Sequence, residues 1–319
     1  MRAHKILFAI AALALASAPA QAADRLRVGK AFPNPMVFVP ADVGVAAGIF
    51  AKHGIDAAIS GFGGEGKMIQ PVIAGEVDIA LGSGTGLSFE VKGVPYIGIG
   101  VLYGDPNNLG IHVLADSPIR SAQDLKGKIV SCSTAGSLSE WLIKELSVKL
   151  GWGPDGIKTA PLGGPQTTLA ALRTHQTDAA TSNTETVLAL RGETRNVVAY
   201  SDYIKNYITN IIYSSNSLRK DKPDAVRRFL AAWYETIGYM RANKAETVKI
   251  AAKVMGMPED LTAQSYDIQM PAFSADGHFD PKAIDYIKKS LMDMKALDAE
   301  PDMPKLYTEE FLPKQRPQT

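Results

Sequence analysis

The residues best equipped for chemistry in this chain are short runs of hydroxyls, glycines and one carboxylate, each standing directly after an apolar run that reads as a strand. They are Phe32-Pro33-Asn34, Gly63-Gly64 and Ser83-Gly84-Thr85 in the first part, then Ser133-Thr134 with Gly136-Ser137, Gly164-Pro165-Gln166-Thr167 and Asn183-Thr184-Glu185. Hydroxyl donors, backbone N–H groups and helix starts without a fixed Lys or Arg suit a small oxyanion such as a sulfonate or a carboxylate. Glu185 qualifies that reading. A carboxylate at a strand end would repel a simple anion, so if it faces the ligand, an aminosulfonate or an aminopyrimidine gains over nitrate. Phe32 and Tyr213 are candidates for an apolar wall, though core packing is the commoner fate for both residue types. Ser137 also reads as a helix cap, and Pro165 as a helix start.

The usual tools of catalysis are missing. Of the five histidines, His53, His112, His175 and His278 lie beyond the first 22 residues, with no HExxH, no paired ligand spacing and no cysteine cluster. That pattern offers no zinc site, and no cofactor is expected. Gly82-Ser83-Gly84 has the wrong spacing for a G-x-S-x-G elbow. Gly61-Phe62-Gly63-Gly64-Glu65-Gly66 does match G-x-G-x-x-G between a strand and a helix. It follows the second strand, not the first, so a tight turn or a close backbone approach accounts for it better than a dinucleotide.

The elements that must position these residues are written twice. From Gly63-Gly64 an apolar run (Met68, Ile69, Val72, Ile73) leads through Ala74-Gly75-Glu76-Val77-Asp78 into Ile79-Ala80-Leu81. From Gly163-Gly164, Leu169, Ala170 and Leu172 lead through His175-Gln176-Thr177-Asp178 into Ala179-Ala180. Apolar spacing of three and four marks one buried helix face, and glycines with Asp supply the turns. Both passages read as β-loop-α-β units. Two such parallel-sheet lobes would bind a ligand where the carboxyl ends of their strands face each other.

Arg2, His4 and Lys5 precede an apolar run from Ile6 to Ala16 and an Ala20-Gln21-Ala22 triplet, the three parts of a secretory signal peptide. The run is too short to span a bilayer, which takes roughly 20 residues. Cleavage after Ala22 leaves no cysteine for a lipid anchor, so the expected product is a soluble periplasmic protein. A net charge of +1 excludes a basic nucleic-acid surface or polybasic membrane patch. Cys132 is the only cysteine, so there is no intrachain disulfide, and its apolar neighbours Ile129-Val130 predict a buried thiol on a strand.

Further along, Ser121 with Asp124 and Ser137 with Glu140 read as capping boxes. Leu142, Ile143, Leu146 and Leu150 predict one helix face, and Val226, Phe229, Leu230, Trp233 and Ile237 another. Gly110–Leu114 is the strand placed to cross between lobes, and Tyr207–Tyr213 the strand placed to return.

Ala46-Ala47-Gly48-Ile49-Phe50-Ala51-Lys52-His53-Gly54-Ile55, Ala74-Gly75-Glu76-Val77-Asp78, Gly93-Val94-Pro95, Asp116-Ser117-Pro118-Ile119 and Asp124-Leu125-Lys126-Gly127-Lys128 carry a resemblance in their order. Together they resemble the periplasmic solute-binding proteins of the nitrate/sulfonate/taurine class, which includes binders of pyrimidine thiamine precursors and serves ATP-driven (ABC) importers. Thr174-His175-Gln176-Thr177-Asp178 departs from the Ala-Gly-x-x-Asp turn that the class usually repeats.

The resemblance implies a type II binding-protein fold: an α/β chain in two lobes, each a mostly parallel sheet flanked by helices, with the ligand cleft between them. The expected division is residues 1–22 signal peptide, 23–108 plus 214–319 lobe I, and 109–213 lobe II. It implies a monomeric receptor, not an enzyme, that captures a small organic solute and delivers it to an inner-membrane permease with its ATPase. A sulfonate or taurine-like anion or zwitterion leads; a pyrimidine thiamine precursor or an aromatic carboxylate is the alternative within the class. An exported enzyme with a dispersed acid/base site is the alternative from outside it.

Overall fold

The computed structural model describes residues 23–314, so the signal-peptide segment lies outside the described residues. Among the described residues ten segments form strands: β1 Asp24–Lys30, β2 Ile55–Gly61, β3 Ile79–Ser83, β4 Tyr96–Tyr103, β5 Leu109–Leu114, β6 Ile129–Cys132, β7 Lys158–Pro161, β8 Ala179–Asn183, β9 Thr194–Ala199 and β10 Asn210–Ser215. The helices are α1 Val39–Ala46, α2 Ile49–Lys52, α3 Glu65–Ile73, α4 Leu87–Val91, α5 Leu138–Lys149, α6 Pro165–Arg173, α7 Thr184–Ala189, α8 Asn216–Asp221, α9 Pro223–Ala242, α10 Lys244–Met255, α11 Glu259–Gln269 and α12 Pro281–Asp293.

The strands assemble into two five-stranded sheets of the same topology, in the orders β2-β1-β3-β10-β4 and β7-β6-β8-β5-β9. In each, four strands run parallel and one runs against its neighbours: β10 in the first sheet and β5 in the second. Each antiparallel strand is the first that the chain lays down after crossing from the other sheet. This is the two-lobed α/β binding-protein architecture, with the cleft where the two bodies meet.

Burial explains why the helices sit where they do. The apolar face of α9 packs away completely, with Val226, Phe229, Leu230, Trp233 and Ile237 all at 0 % exposure. Each such side chain contributes about 2 kcal/mol on leaving water. On α5, Leu142, Ile143 and Leu146 are buried in the same way. Ser137 caps α5 by accepting from Glu140 N, and Asp124 closes back on Ser121 N at 2.9 Å.

The two crossovers, residues 104–108 and 200–209, are bonded to each other. Thr209 N donates to Tyr103 O and Gly104 O at 3.0 and 3.1 Å, and Tyr207 N donates to Asp105 Oδ1 at 3.0 Å. These bonds correct the expected strand at Tyr207–Tyr213. Tyr207 and Ile208 belong to the crossover, with the Tyr207 ring stacked on Trp141, and the strand begins only at Asn210.

Candidate functional site

In the first sheet, β1, β2 and β3 run at their carboxyl ends into the loops 31–35, 62–64 and 84–86. Gly61 lies against Pro33: a Cβ at Gly61 would stand 2.5 Å from Pro33 Cβ. The G-x-G-x-x-G pattern is thereby used for a close approach of two loops of this chain. That approach carries Phe32 outward, 49 % exposed, beside an exposed Asn34. Gly63 is exposed, and Gly64, with φ 132°, donates its N–H to Ala31 O at 2.8 Å.

The chemistry of this wall is set by a residue outside the sequence-derived set. Glu65, the first residue of α3, turns back onto the end of β3. Its Oε1 accepts from Ser83 N at 3.1 Å, its Oε2 accepts from Ser83 Oγ at 2.5 Å, and Ser83 Oγ lies 2.8 Å from Thr85 Oγ1. Gly82 and Gly86 make the room, since a Cβ at either would stand 2.3 or 2.4 Å from Glu65 Oε1. Burial pushes the Glu65 carboxyl up to about 7 against the opposing hydrogen bonds from Ser83. An acidic residue in a first turn reads as ordinary helix-end electrostatics, and nothing in the local sequence marks its fold-back onto Ser83.

Tyr213 lies beneath this wall, not on it. It is 0 % exposed, its hydroxyl donates to Ser83 O at 2.6 Å, and its ring lies 4.4 Å from that of Tyr96. The expected apolar wall is therefore left to Phe32. Tyr213 instead holds the 83–86 turn from below, because β10 runs through the middle of the sheet.

The second wall presents hydroxyls. Ser139, also outside the sequence-derived set, joins the two predicted serines: its Oγ lies 2.9 Å from both Ser133 Oγ and Ser137 Oγ and accepts from Ser133 N at 3.0 Å. Thr134 and Gly136 are exposed, but Gly136 N is spent on Glu140 Oε2 at 2.6 Å. Burial opposes ionisation of Glu140, yet the bonds from Gly136 N, Lys144 and Thr159 outweigh it and hold that carboxyl low. Gly164, Gln166 and Thr167 are exposed at the start of α6. Asn183 caps α7, its Oδ1 accepting from Thr186 N at 3.0 Å.

Glu185 reaches out of the second body to the first. Its Oε1 accepts from Met36 N at 3.0 Å, Gln269 Nε2 at 2.7 Å and Ser265 Oγ at 3.3 Å. Its Oε2 and Gln269 Oε1 are both buried without a hydrogen-bond partner. The carboxylate thus bridges the two bodies beside the crossovers, where Asn107 Nδ2 also donates to Ile268 O at 2.8 Å.

The buried thiol of Cys132 and the buried imidazole of His112 are not disposed to do chemistry. Cys132 ends β6 at 1 % exposure, and burial pushes its thiol up to about 11. His112, 1 % exposed on β5, is pushed down to about 4 by burial and is neutral at ordinary pH. No group of three or more His, Cys, Asp or Glu side chains with metal-site geometry occurs among the described residues.

A family model described as NMT1/THI5 like matches residues 36–247, a span that holds Glu65, Ser83, the second wall and both crossovers and begins just after Phe32 and Asn34. The chain belongs to the NMT1/THI5-like family. A protein of Brucella abortus described as a binding protein is 25 % identical over 223 residues, covering 65 % of each chain. The chain thus spans about two thirds of the length of the curated relatives it matches.

Among solved structures, the periplasmic aliphatic sulphonate binding protein SsuA of Escherichia coli superposes with a TM-score of 0.77 at 18 % identity, over 92 % of this chain and 93 % of that one. The alkanesulfonate-binding protein SsuA of Xanthomonas axonopodis pv. citri, bound to MOPS, gives 0.74 at 17 % identity, over 89 % and 98 %. The desulfurization enzyme DSZB gives 0.63 at 18 % identity, over 90 % and 97 %. At these identities the likeness is one of fold, and the fold serves binding proteins and at least one enzyme.

Proposed function

We propose that this protein is the periplasmic, monomeric substrate-binding component of an ATP-driven importer, closing its two lobes, residues 23–108 with 214–319 and residues 109–213, on one small organic solute for an inner-membrane permease and its ATPase. The observation that carries the reading is the pairing, within this family's fold, of two cleft walls of opposite character on bodies joined by paired crossovers. The first wall offers an exposed aromatic, Phe32, and a carboxylate, Glu65; the second offers the hydroxyls of Ser133, Ser137 and Ser139 with the start of α6. A zwitterion with a short apolar stem, such as an aminosulfonate, suits both walls, whereas nitrate brings neither an apolar surface for Phe32 nor a donor for Glu65. Glu185 supports this less directly than its sequence position promised, because one of its oxygens is taken by Met36, Ser265 and Gln269.

The fold shared with a desulfurization enzyme keeps an exported enzyme as the second reading. The buried Cys132, with its thiol pushed up to about 11, argues against nucleophilic chemistry at the only cysteine. Isothermal titration and thermal shift against taurine, alkanesulfonates, nitrate, aromatic carboxylates and aminopyrimidines test the proposal. Saturable binding with recovery of intact ligand supports it; conversion of the ligand rejects it. Small-angle scattering that does not contract on saturation rejects lobe closure.

A further inference from the structure

We propose that Glu65 is the specificity-determining residue of the first wall, making it accept a hydrogen bond from an amino or ring N–H group of the ligand and reject a group that brings only acceptors. This rests on the solute-receptor reading above and deepens it by naming the ligand class. The donors that an oxyanion would need at the end of β3, Ser83 N and Ser83 Oγ, are already given to Glu65 at 3.1 and 2.5 Å. Thr85 is drawn into the same chain. With Ser83 O–H committed to Glu65, the 2.8 Å contact between the two hydroxyls is made by Thr85 O–H donating to Ser83 Oγ. Around an ionised Glu65 the whole run therefore faces a ligand with lone pairs.

The space is built for that carboxylate. Gly82 and Gly86 are the positions where a Cβ would collide with Oε1, and Tyr213, which holds Ser83 O, would stand 2.8 Å from a Cβ on Gly86. Protonation of Glu65 reverses the run: Glu65 O–H donates to Ser83 Oγ, Ser83 O–H to Thr85 Oγ1, and Thr85 O–H is released toward the ligand. The same wall then donates. Glu65 titrates at about 7, so both states are accessible near neutral pH. The titratable and charged groups around it are Tyr213 of β10, Tyr96 of β4, Glu90 of α4 with Arg219 of α8 near it, and Lys67 of α3, whose Nζ lies by Gly63. Both tyrosines are held far above their usual range by burial and by the two glutamates, so they stay neutral throughout.

The test is isothermal titration of the purified protein and its Glu65→Gln variant with probe pairs that differ only in the amino group: taurine against ethanesulfonate, and aminopyrimidine against pyrimidine. In the wild type the aminated member of a pair should gain about tenfold over its partner between about pH 6 and about pH 8, as Glu65 ionises. In Glu65→Gln, which keeps the shape and carries no proton to lose, the ratio should be flat with pH and the aminated preference lost. Carbon NMR of the Glu65 carboxyl in the ligand-free wild type supplies a readout independent of the variant's folding: a midpoint near 7 supports the switch, and an ordinary carboxylate midpoint overturns it. A wild-type ratio that does not move with pH, or one that moves equally in both proteins, overturns the assignment of Glu65 and leaves the receptor reading standing. Binding of none of the four probes by either protein overturns both.

Discussion

In the first copy of the repeated passage, Asp78 accepts from Arg27 N at 2.8 Å and gives its own N–H to Arg27 O at 2.9 Å. In the second, Asp178 does the same with Ile129, at the same two distances. The agreement ends at the glycines. The left-handed glycine that bonds back to the residue just past the neighbouring strand, Ala31 after β1 or Ser133 after β6, is Gly64 in one copy, at φ 132°, and Gly163 in the other, at φ 90°, so the turns are out of step by one residue. At the far end of the helix the left-handed position is Gly75 at φ 72° in one copy and His175 at φ 55° in the other. The sheet demands that each strand start be closed by hydrogen bonds, and both copies meet that demand identically. How the chain turns between elements is constrained only locally, so each copy solves it separately. The proposed site follows the difference: after its turn the first helix starts with Glu65, which folds back on Ser83, whereas the second starts at Pro165 with no acid in its first turn.

That contrast can be broken most severely where each copy meets a crossover. Gly84 N donates to Thr209 O and Thr184 N to Asn108 O, but a Cβ at Gly84 would stand 2.1 Å from Ile208 O. Gly84→Ala should cost about 3 kcal/mol in urea denaturation, since the obstacle is backbone, whereas Thr184→Ala should cost about 1 kcal/mol or less. Equal losses would show that the copies pack alike after all.

A smaller effect should separate the two aspartates. Asp78 also takes Arg27 Nε and Nη2, and its side chain is 13 % exposed against 37 % for Asp178, whose Lys128 partner stands off at 3.6 Å. Asp78→Ala is expected to cost about 2 to 3 kcal/mol and Asp178→Ala about 1 kcal/mol. The reverse order would sink the claim that exposure distinguishes them.

Only the first copy carries a pH-dependent strain. Glu65 titrates higher in the fold than its ordinary 4.5, so its contribution favours the fold at low pH and is lost as pH rises toward about 7. The advantage of Glu65→Gln over the wild type should therefore grow from about pH 4.5 to about 7 and then level off, reaching about 3 kcal/mol. A difference that is constant with pH would refute the burial of that charge.

The smallest effects lie in the turns themselves. Gly64→Ala should lose about 1 to 2 kcal/mol, while Gly164→Ala, at φ −82° with nothing within 4 Å of a Cβ, should be neutral within about 0.5 kcal/mol. His175→Gly should gain at most about 1 kcal/mol. Thermal melts of the three variants decide the order.

Hydropathy spacing and turn chemistry are local, so the sequence alone determined the β-loop-α-β units, the faces of α5 and α9, the Ser137 cap and the buried place of Cys132. The order of its short motifs carried the family and the two-lobed fold as well. What no local pattern carries is which neighbour a polar side chain meets. The strand expected at Tyr207 became crossover because Asp105, about a hundred residues earlier, captures its N–H. Tyr213 went under the wall because β10 inserts between β3 and β4. Glu185 and Glu65 are each a single carboxylate near the start of a helix, indistinguishable by propensity. The tertiary structure alone sent one to bridge the lobes and the other into the space between Gly82 and Gly86, because hydrogen-bond partners are chosen by position in space and not by separation along the chain.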